Sequence, residues 1–250
     1  MICFEILDKS TYMIDLSCPI SISIPIANGA TPNAFHLPYP EFAPFRAGNF
    51  VGSIEEGGSV RCDVVTFAPH GNGTHTECVG HIAGQSYVLT DCLPTPISMA
   101  RLVTVPLEKS DRGLMVSRNA IEGVLNGAHV PSLVVRTLPN DVSKRSQVWS
   151  GANPPFVHAD AMKLIVDAGI QHLIIDLPSV DPEEDDGALE SHHIFWQWPQ
   201  APRVHCTISE LVFIPDTVPN GLYGICIGAA PFVADAAPSW ITLFPTRKQE

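Results

Sequence analysis

Between Asp15 and Ile26 the apolar residues fall into alternation, with Ile20, Ile22, Ile24 and Ile26 two apart behind an opening Asp15-Leu16-Ser17. A period of two predicts a strand with one apolar face. The pattern dissolves over residues 28–58, where Pro, Gly and Asn accumulate and Phe35, Tyr39, Phe42, Phe45 and Phe50 are scattered. That composition predicts a long ordered loop anchored by aromatics, serving either as a cover over a site or as plain packing. Alternation returns over Ser59 to Ala68, with Val60, Cys62 and Val64 on one face and Val65 and Phe67 on the other, and it predicts a buried strand stopped by Pro69. Arg101–Pro106 and Leu133–Thr137 read as further strands. Ser117 is a suitable N-cap for a helix over 118–126, with Gly127 as its stop. Ala161, Leu164, Ile165 and Ala168 then fall at i, i+3, i+4 and i+7, which is one face of a helix, and Gly169 suits its C-terminal cap. The apolar strand His172–Asp176 follows, broken by Leu177-Pro178-Ser179. A helix, a turn and a strand in succession are an α/β signal. The acidic run 181–190 is expected to face water, and strands at 205–214, 221–230 and near 240–244 complete the chain. No repeat, low-complexity tract or linker interrupts it, so residues 1–250 read as one domain.

Composition narrows the class. Apolar residues make up 45% of the chain and charged residues 16%, a balance that permits a sizeable core and excludes a disordered chain. The 26 acidic against 14 basic residues leave a net charge of −12, which argues against a nucleic-acid backbone as partner. Seven cysteines, an odd number with no C-x-x-C pair, signal neither a disulfide framework nor a zinc ribbon; buried thiols in a reducing compartment are expected. No basic, then apolar, signal segment opens the sequence, and no uncharged apolar run is long enough to span a membrane. The chain therefore reads as cytoplasmic, with no membrane partner.

The candidate chemistry is concentrated between His70 and His81. Three of the ten histidines and Glu77 lie in these twelve residues, where an even scatter would put about half a histidine. Imidazole and carboxylate are the usual ligands of borderline and hard divalent ions, and the glycines at 71, 73 and 80 allow tight turns that bring side chains together. The alternative is a polar surface loop that is simply His-rich. In an extended segment His75 and Glu77 share a face, and His81 can turn back across Gly80. Three protein ligands with an open position are how a catalytic metal is usually held; such a site makes hydroxide available near neutral pH, for hydrolysis of an amide, ester or related carbonyl bond. Cys78 points away from Glu77's face, so a Cys–His hydrolase is a weaker reading. Two distant segments add candidates: Ser191-His192-His193, ahead of an aromatic pair, and Glu210, a carboxylate in an apolar run that is costly unless it is paired, bound to a cation or turned outward.

Gly73-Thr74-His75-Thr76-Glu77-Cys78-Val79-Gly80-His81 resembles the H-x-G-T-H-x-D-x-P-x-H motif of the cyclase family of metal-dependent hydrolases. Asp15-Leu16-Ser17, Asp176-Leu177-Pro178-Ser179-Val180-Asp181, His192 with Phe195-Trp196, and Glu210 ahead of Pro219 resemble further family segments in the same order. The resemblance implies an α/β fold with a mixed, barrel-like sheet flanked by helices (a swivelling β/β/α arrangement) and a homodimer or homotetramer. It also implies a divalent cofactor, Zn2+ ahead of Mn2+. Carried over, His75 and Glu77 become metal ligands, with His81, His192 and Glu210 as second-metal or proton-transfer groups. The chain departs from the motif at Gly71, where the family has its first ligand, at Glu77 for Asp and at Val79 for Pro. His70, one residue before Gly71, is the candidate replacement. A non-catalytic binding protein with a degraded site is the second reading.

Overall fold

A computed structural model describes residues 2–5, 10–29, 32–125 and 130–249. Seven strands close on themselves: in spatial order Ala236–Lys248, Gly221–Ala229, Ile97–Pro106, Ser132–Leu138, His172–Ile175, Thr207–Glu210 and His75–Glu77, the last pairing back onto the first. Thr11–Ile14 and Ile20–Ser21 pair onto the long Ala236–Lys248 strand, and Ile2–Glu5 pairs onto Thr11–Ile14. The run Ile97–Pro106, Ser132–Leu138, His172–Ile175, Thr207–Glu210 is parallel throughout. Parallel neighbours need crossovers, and the helices Arg118–Glu122, Ala159–Asp167 and Glu190–Trp196 lie in those three connections. The remaining pairings of the barrel are antiparallel, so the sheet is mixed.

Alternation along the strands divides the core in two. Leu133, Val135, Leu173 and Ile175 pack with Ile121, Ala161, Met162, Ile165, Phe195 and Trp196 of the helices. Between them Val134 and Ile174 join Leu102, Ile225, Ile241 and Leu243 in a cluster that contains no helical residue. The barrel therefore has an apolar interior and an apolar outer wall under its helices. Both faces of these strands are buried, as parallel strands with helical crossovers require.

The strongest periodicities are realised. Helix Ala159–Asp167 buries Ala161 and Ile165, Gly169 follows at φ +78°, and Ser117 caps Arg118–Glu122 by accepting from the Ala120 N–H. Gly127, the expected stop, lies outside the described residues. Ile22 and Ile24 point inward as alternation demands, although regular pairing there is confined to Ile20–Ser21.

Three expectations are corrected. The run from Ser59 to Ala68 is not a buried strand: only Asp63–Thr66 is extended, it pairs with Glu41–Pro44 alone, and Val60, Val64 and Val65 are exposed. A two-stranded ribbon with nothing packed on it has no face to bury. Residues 28–58, expected as a long ordered loop anchored by aromatics, contain the extended segments Glu41–Pro44, Arg46–Ala47 and Phe50–Val51, and Phe45 and Phe50 meet each other at the surface instead of anchoring it. The acidic run 181–190 does not wholly face water, since Asp181 is buried. Among the described residues no helix is long and apolar enough to cross a membrane.

Candidate metal centre

The centre sits where the barrel closes. His75–Glu77 is paired on both sides, with His75 opposite Glu210 on one neighbour and Glu77 opposite Ala236 on the other. Directly opposed residues of an antiparallel pair share a face. His75, Glu77 and Glu210 thus project together, and the hydroxyls of Thr76 and Ser209 meet at 2.8 Å on the opposite face. Helix Glu190–Trp196 brings His192 over the first group: its Nε2 lies 3.1 Å from Glu77 Oε1. The one-turn helix Gly80–Ala83 swings His81 back until Nδ1 is 3.7 Å from Glu77 Oε2. His70, on the turn Pro69–Gly71, reaches in from the open side, with Nδ1 3.2 Å from the same oxygen. Every sequence-derived site residue is therefore in one pocket, with His75, Glu77, His192 and Glu210 as a buried floor and His70 and His81 at a partly exposed rim.

The surrounding backbone holds this geometry. Ile24 N–H donates to Thr74 Oγ1 at 2.7 Å, and the Thr74 hydroxyl donates to the Leu211 carbonyl at 2.5 Å. The His-rich loop is thereby pinned between the first apolar strand and the Glu210 segment. Ala34 N–H donates to the Gly71 carbonyl, and a Cβ at Gly71 would come within 2.9 Å of the Ala34 carbonyl oxygen and 2.8 Å of Leu37. No side chain fits at 71, so His70 is the imidazole this turn can offer.

Asp181, the last residue of the family-like segment 176–181 and the first of the acidic run expected to face water, is instead buried beside His192. Its carboxylate accepts from the Ser191 N–H at 2.7 Å, the His192 N–H at 3.1 Å and His192 Nδ1–H at 2.6 Å. That set seats the first turn of the helix and fixes which ring nitrogen of His192 faces the pocket. A carboxylate behind a ligating imidazole is a common orienting device. The signal available in sequence was the eleven-residue spacing to His192, which only the intervening turn gives meaning. Asp235, at the start of the Ala236–Lys248 strand, was missed altogether: Oδ2 is 3.0 Å from His70 Nε2 and 3.4 Å from His81 Nδ1.

The electrostatics favour positive charge throughout. Burial opposes the imidazolium of His192, but the hydrogen bonds to Asp181 and Glu77 outweigh it and push the group up to about 10. His70 is likewise pushed up to about 10 by Asp235 and Glu77 against burial. Burial also opposes the charge on Glu77, yet His81, His192 and His70 hold its carboxyl well below the usual range. The test for a metal is the donor chemistry at His75. Its Nδ1–H donates to the Gly73 carbonyl at 3.1 Å, which turns Nε2 toward Glu210. Nε2 is buried without a hydrogen-bond partner, 3.4 Å from Glu210 Oε2. A buried ring nitrogen left without a hydrogen bond beside a carboxylate oxygen is costly, and a cation between them would satisfy both. His70, His75 and Glu77, and separately Glu77, His81 and His192, each offer ligand atoms within 4.8 Å of one another. The residues fit a divalent ion. Cys78 takes no part: it is buried, its thiol faces the Tyr87 carbonyl, and its neighbour Cys92 together with burial pushes it up, away from thiolate.

Known proteins share both sequence and fold. The kynurenine formamidase of Bacillus cereus is 27% identical over 187 residues, 74% of this chain and 77% of that protein. Among solved structures, a potential metal-dependent hydrolase with cyclase activity superposes with a TM-score of 0.67 at 18% identity, covering 91% of this chain and 97% of its own. An isatin hydrolase in complex with thioisatinate gives 0.59 at 13% identity over 84% and 83% of the two chains. At those identities the structures show a common fold. Barrel, pocket and relatives define the class, a metal-dependent hydrolase. The family model described as "Putative cyclase" matches residues 14–182, and the chain belongs to the cyclase family.

Proposed function

We propose that the protein hydrolyses the amide, ester or lactam-type bond of a small molecule, in the manner of the formamidase and isatin hydrolase it resembles. The observation that carries this reading is the buried, unpartnered Nε2 of His75 facing Glu210. His75, Glu77 and His70, with Glu210 and His81, are the candidate ligands; Zn2+ is the first expectation and Mn2+ the alternative, both suited to mixed imidazole and carboxylate donors. When bound, such an ion supplies Lewis acidity and lowers the pKa of water at the site.

The protein groups do the remaining work. Glu77 and Glu210 supply the negative charge that retains the cation. His192, held by Asp181, presents Nε2 to the pocket and stays oriented while protons move. His81 at the rim has both a carboxylate neighbour and solvent contact, which suits it, when no ion occupies its ring nitrogen, to deliver a proton to a departing amine or alcohol. A cytoplasmic setting suits the six free thiols among the described residues, Cys18, Cys62, Cys78, Cys92, Cys206 and Cys226. A homodimer or homotetramer is the assembly expected from the family.

Metal analysis of the purified protein tests the proposal, with turnover of N-formyl arylamines, aryl esters and cyclic imides measured beside it. Bound divalent metal, lost in His75→Ala together with turnover, is the expected result. Near-zero metal in both proteins would overturn it. Gly71 favours one second reading, a binding protein on the same scaffold; retained metal without turnover of any of the three substrate classes would select that reading. Activity that resists chelation and is abolished by Cys78→Ala would instead indicate a cysteine hydrolase.

A further inference from the structure

We propose that Asp235, with His70 and His81, holds a divalent cation at the rim of the pocket, distinct from the ion held on the floor by His75. This rests on the metal-dependent reading above and adds a ligand that neither motif nor resemblance supplies. His70 Nε2, His81 Nδ1 and an Asp235 carboxylate oxygen lie within 4.8 Å of one another, close enough to share one ion. The two imidazole rings are 4.5 Å apart, centroid to centroid, and Asp235 Oδ2 stands 3.0 Å from one and 3.4 Å from the other.

Two further features indicate that the position is built. First, the Asp235 backbone is locked: its carbonyl accepts from the Cys78 N–H at 3.0 Å, the Ala234 carbonyl accepts from the Leu89 N–H at 2.8 Å, and Ala236 is in register with Glu77. The close approach depends on Gly80, where a Cβ would fall 3.1 Å from the Asp235 Cβ and 2.2 Å from the Tyr87 carbonyl oxygen. Second, His70 has the arrangement of a ligating imidazole. With Nε2 turned to Asp235, its other ring nitrogen, Nδ1, lies 3.2 Å from Glu77 Oε2. A carboxylate accepting from the far nitrogen of a metal-bound histidine fixes both tautomer and ring angle. Glu77 thus serves the floor as a ligand and stands behind His70, and of the candidate ligands named above His70 and His81 are thereby assigned to the rim ion and His75, Glu77 and Glu210 to the floor.

The exposures separate the two positions. Side chains of His70, His81 and Asp235 are 25%, 28% and 36% exposed, against 0% for His75 and 1% for Glu77. The rim ion should therefore exchange readily and bind more weakly than the floor ion.

Chelator-stripped full-length protein, titrated with Mn2+ and with Zn2+ by calorimetry, separates the sites. Wild type is expected to bind two ions, one tightly and one weakly. In Asp235→Asn the weaker event should vanish or weaken by more than about tenfold while the tight one persists. His81→Asn should reproduce that loss, and His75→Ala should abolish the tight event. Circular dichroism of each variant verifies folding, and Asp235→Glu is included as a conservative control expected to retain weak binding in part. One ion in wild type, or two ions unaffected by Asp235→Asn, overturns the rim site and leaves the hydrolase reading standing. No ion in wild type overturns both.

Discussion

Replacing Asp181 by Asn removes one charge and almost no volume, and the structure predicts that no orientation of the new amide is satisfactory. The two carboxylate oxygens accept three hydrogen bonds, Ser191 N–H on Oδ1 and His192 N–H and Nδ1–H on Oδ2. Asn has one acceptor and one donor group. If its oxygen faces Ser191, the amide NH2 confronts the His192 N–H, and the imidazole must move its proton to Nε2. The nitrogen facing Glu77 then holds the neutral ring's one proton and cannot give it up to bind a cation. If the amide flips, NH2 confronts the Ser191 N–H and strands it in the interior. Either arrangement leaves a buried donor unsatisfied, costing about 1–3 kcal/mol. For a chain of this length each kcal/mol lowers the melting temperature by roughly 2–4 °C, so a fall of about 2–12 °C is expected. His192 can share an ion with Glu77 and His81, and where it does so, loss of the carboxylate behind it should weaken metal binding by about 10–100-fold. Thermal unfolding of the chelated protein reads the first effect, and calorimetric metal titration reads the second. A variant that melts and binds metal like wild type would refute the role assigned to Asp181.

Two further predictions concern the scaffold. Burial, reinforced by Arg203, pushes His172 down to about 4, so the unfolded chain takes up a proton there before the native one does. Stability should be intact above the ordinary histidine value near 6.5 and should decline as pH falls toward 4, by on the order of 2 kcal/mol at pH 5; His172→Gln in chelated protein should flatten that part of the denaturant-midpoint profile, and an unchanged slope would contradict the assignment. Lys144, buried, donates to Asp176 Oδ2 at 2.8 Å and to both oxygens of Thr137. Lys144→Met leaves a buried carboxylate unpaired and should cost about 3–5 kcal/mol, most of it recovered in Lys144→Met with Asp176→Leu; a single variant as stable as wild type would show that the pair contributes little.

Local pattern and tertiary context each decided different things about this chain. Where an element is buried on a single regular stripe, as in Ala159–Asp167 or around Ile22 and Ile24, the period of the apolar residues was enough to read it, because burial and periodicity have the same cause. The same reading failed for Ser59 to Ala68: alternation states which side chains share a face, and only the rest of the fold states whether anything covers that face. The floor of the pocket was legible because His75 and Glu77 are two apart on one strand. Their convergence with His192 and Glu210, 117 and 135 residues further along, was suggested by family likeness and depends physically on barrel closure, which sets Glu210 opposite His75. Asp181 closed a family-like segment but was also counted in the acidic run, and Asp235 stood in the sequence as an ordinary acidic residue. Their environment is made by partners distant along the chain: a helix end places the first behind an imidazole, and the pairing of Ala236 with Glu77 carries the second to the rim. Residue chemistry is written one position at a time, whereas the field and geometry that give a carboxylate its task arise only when separate segments are packed together.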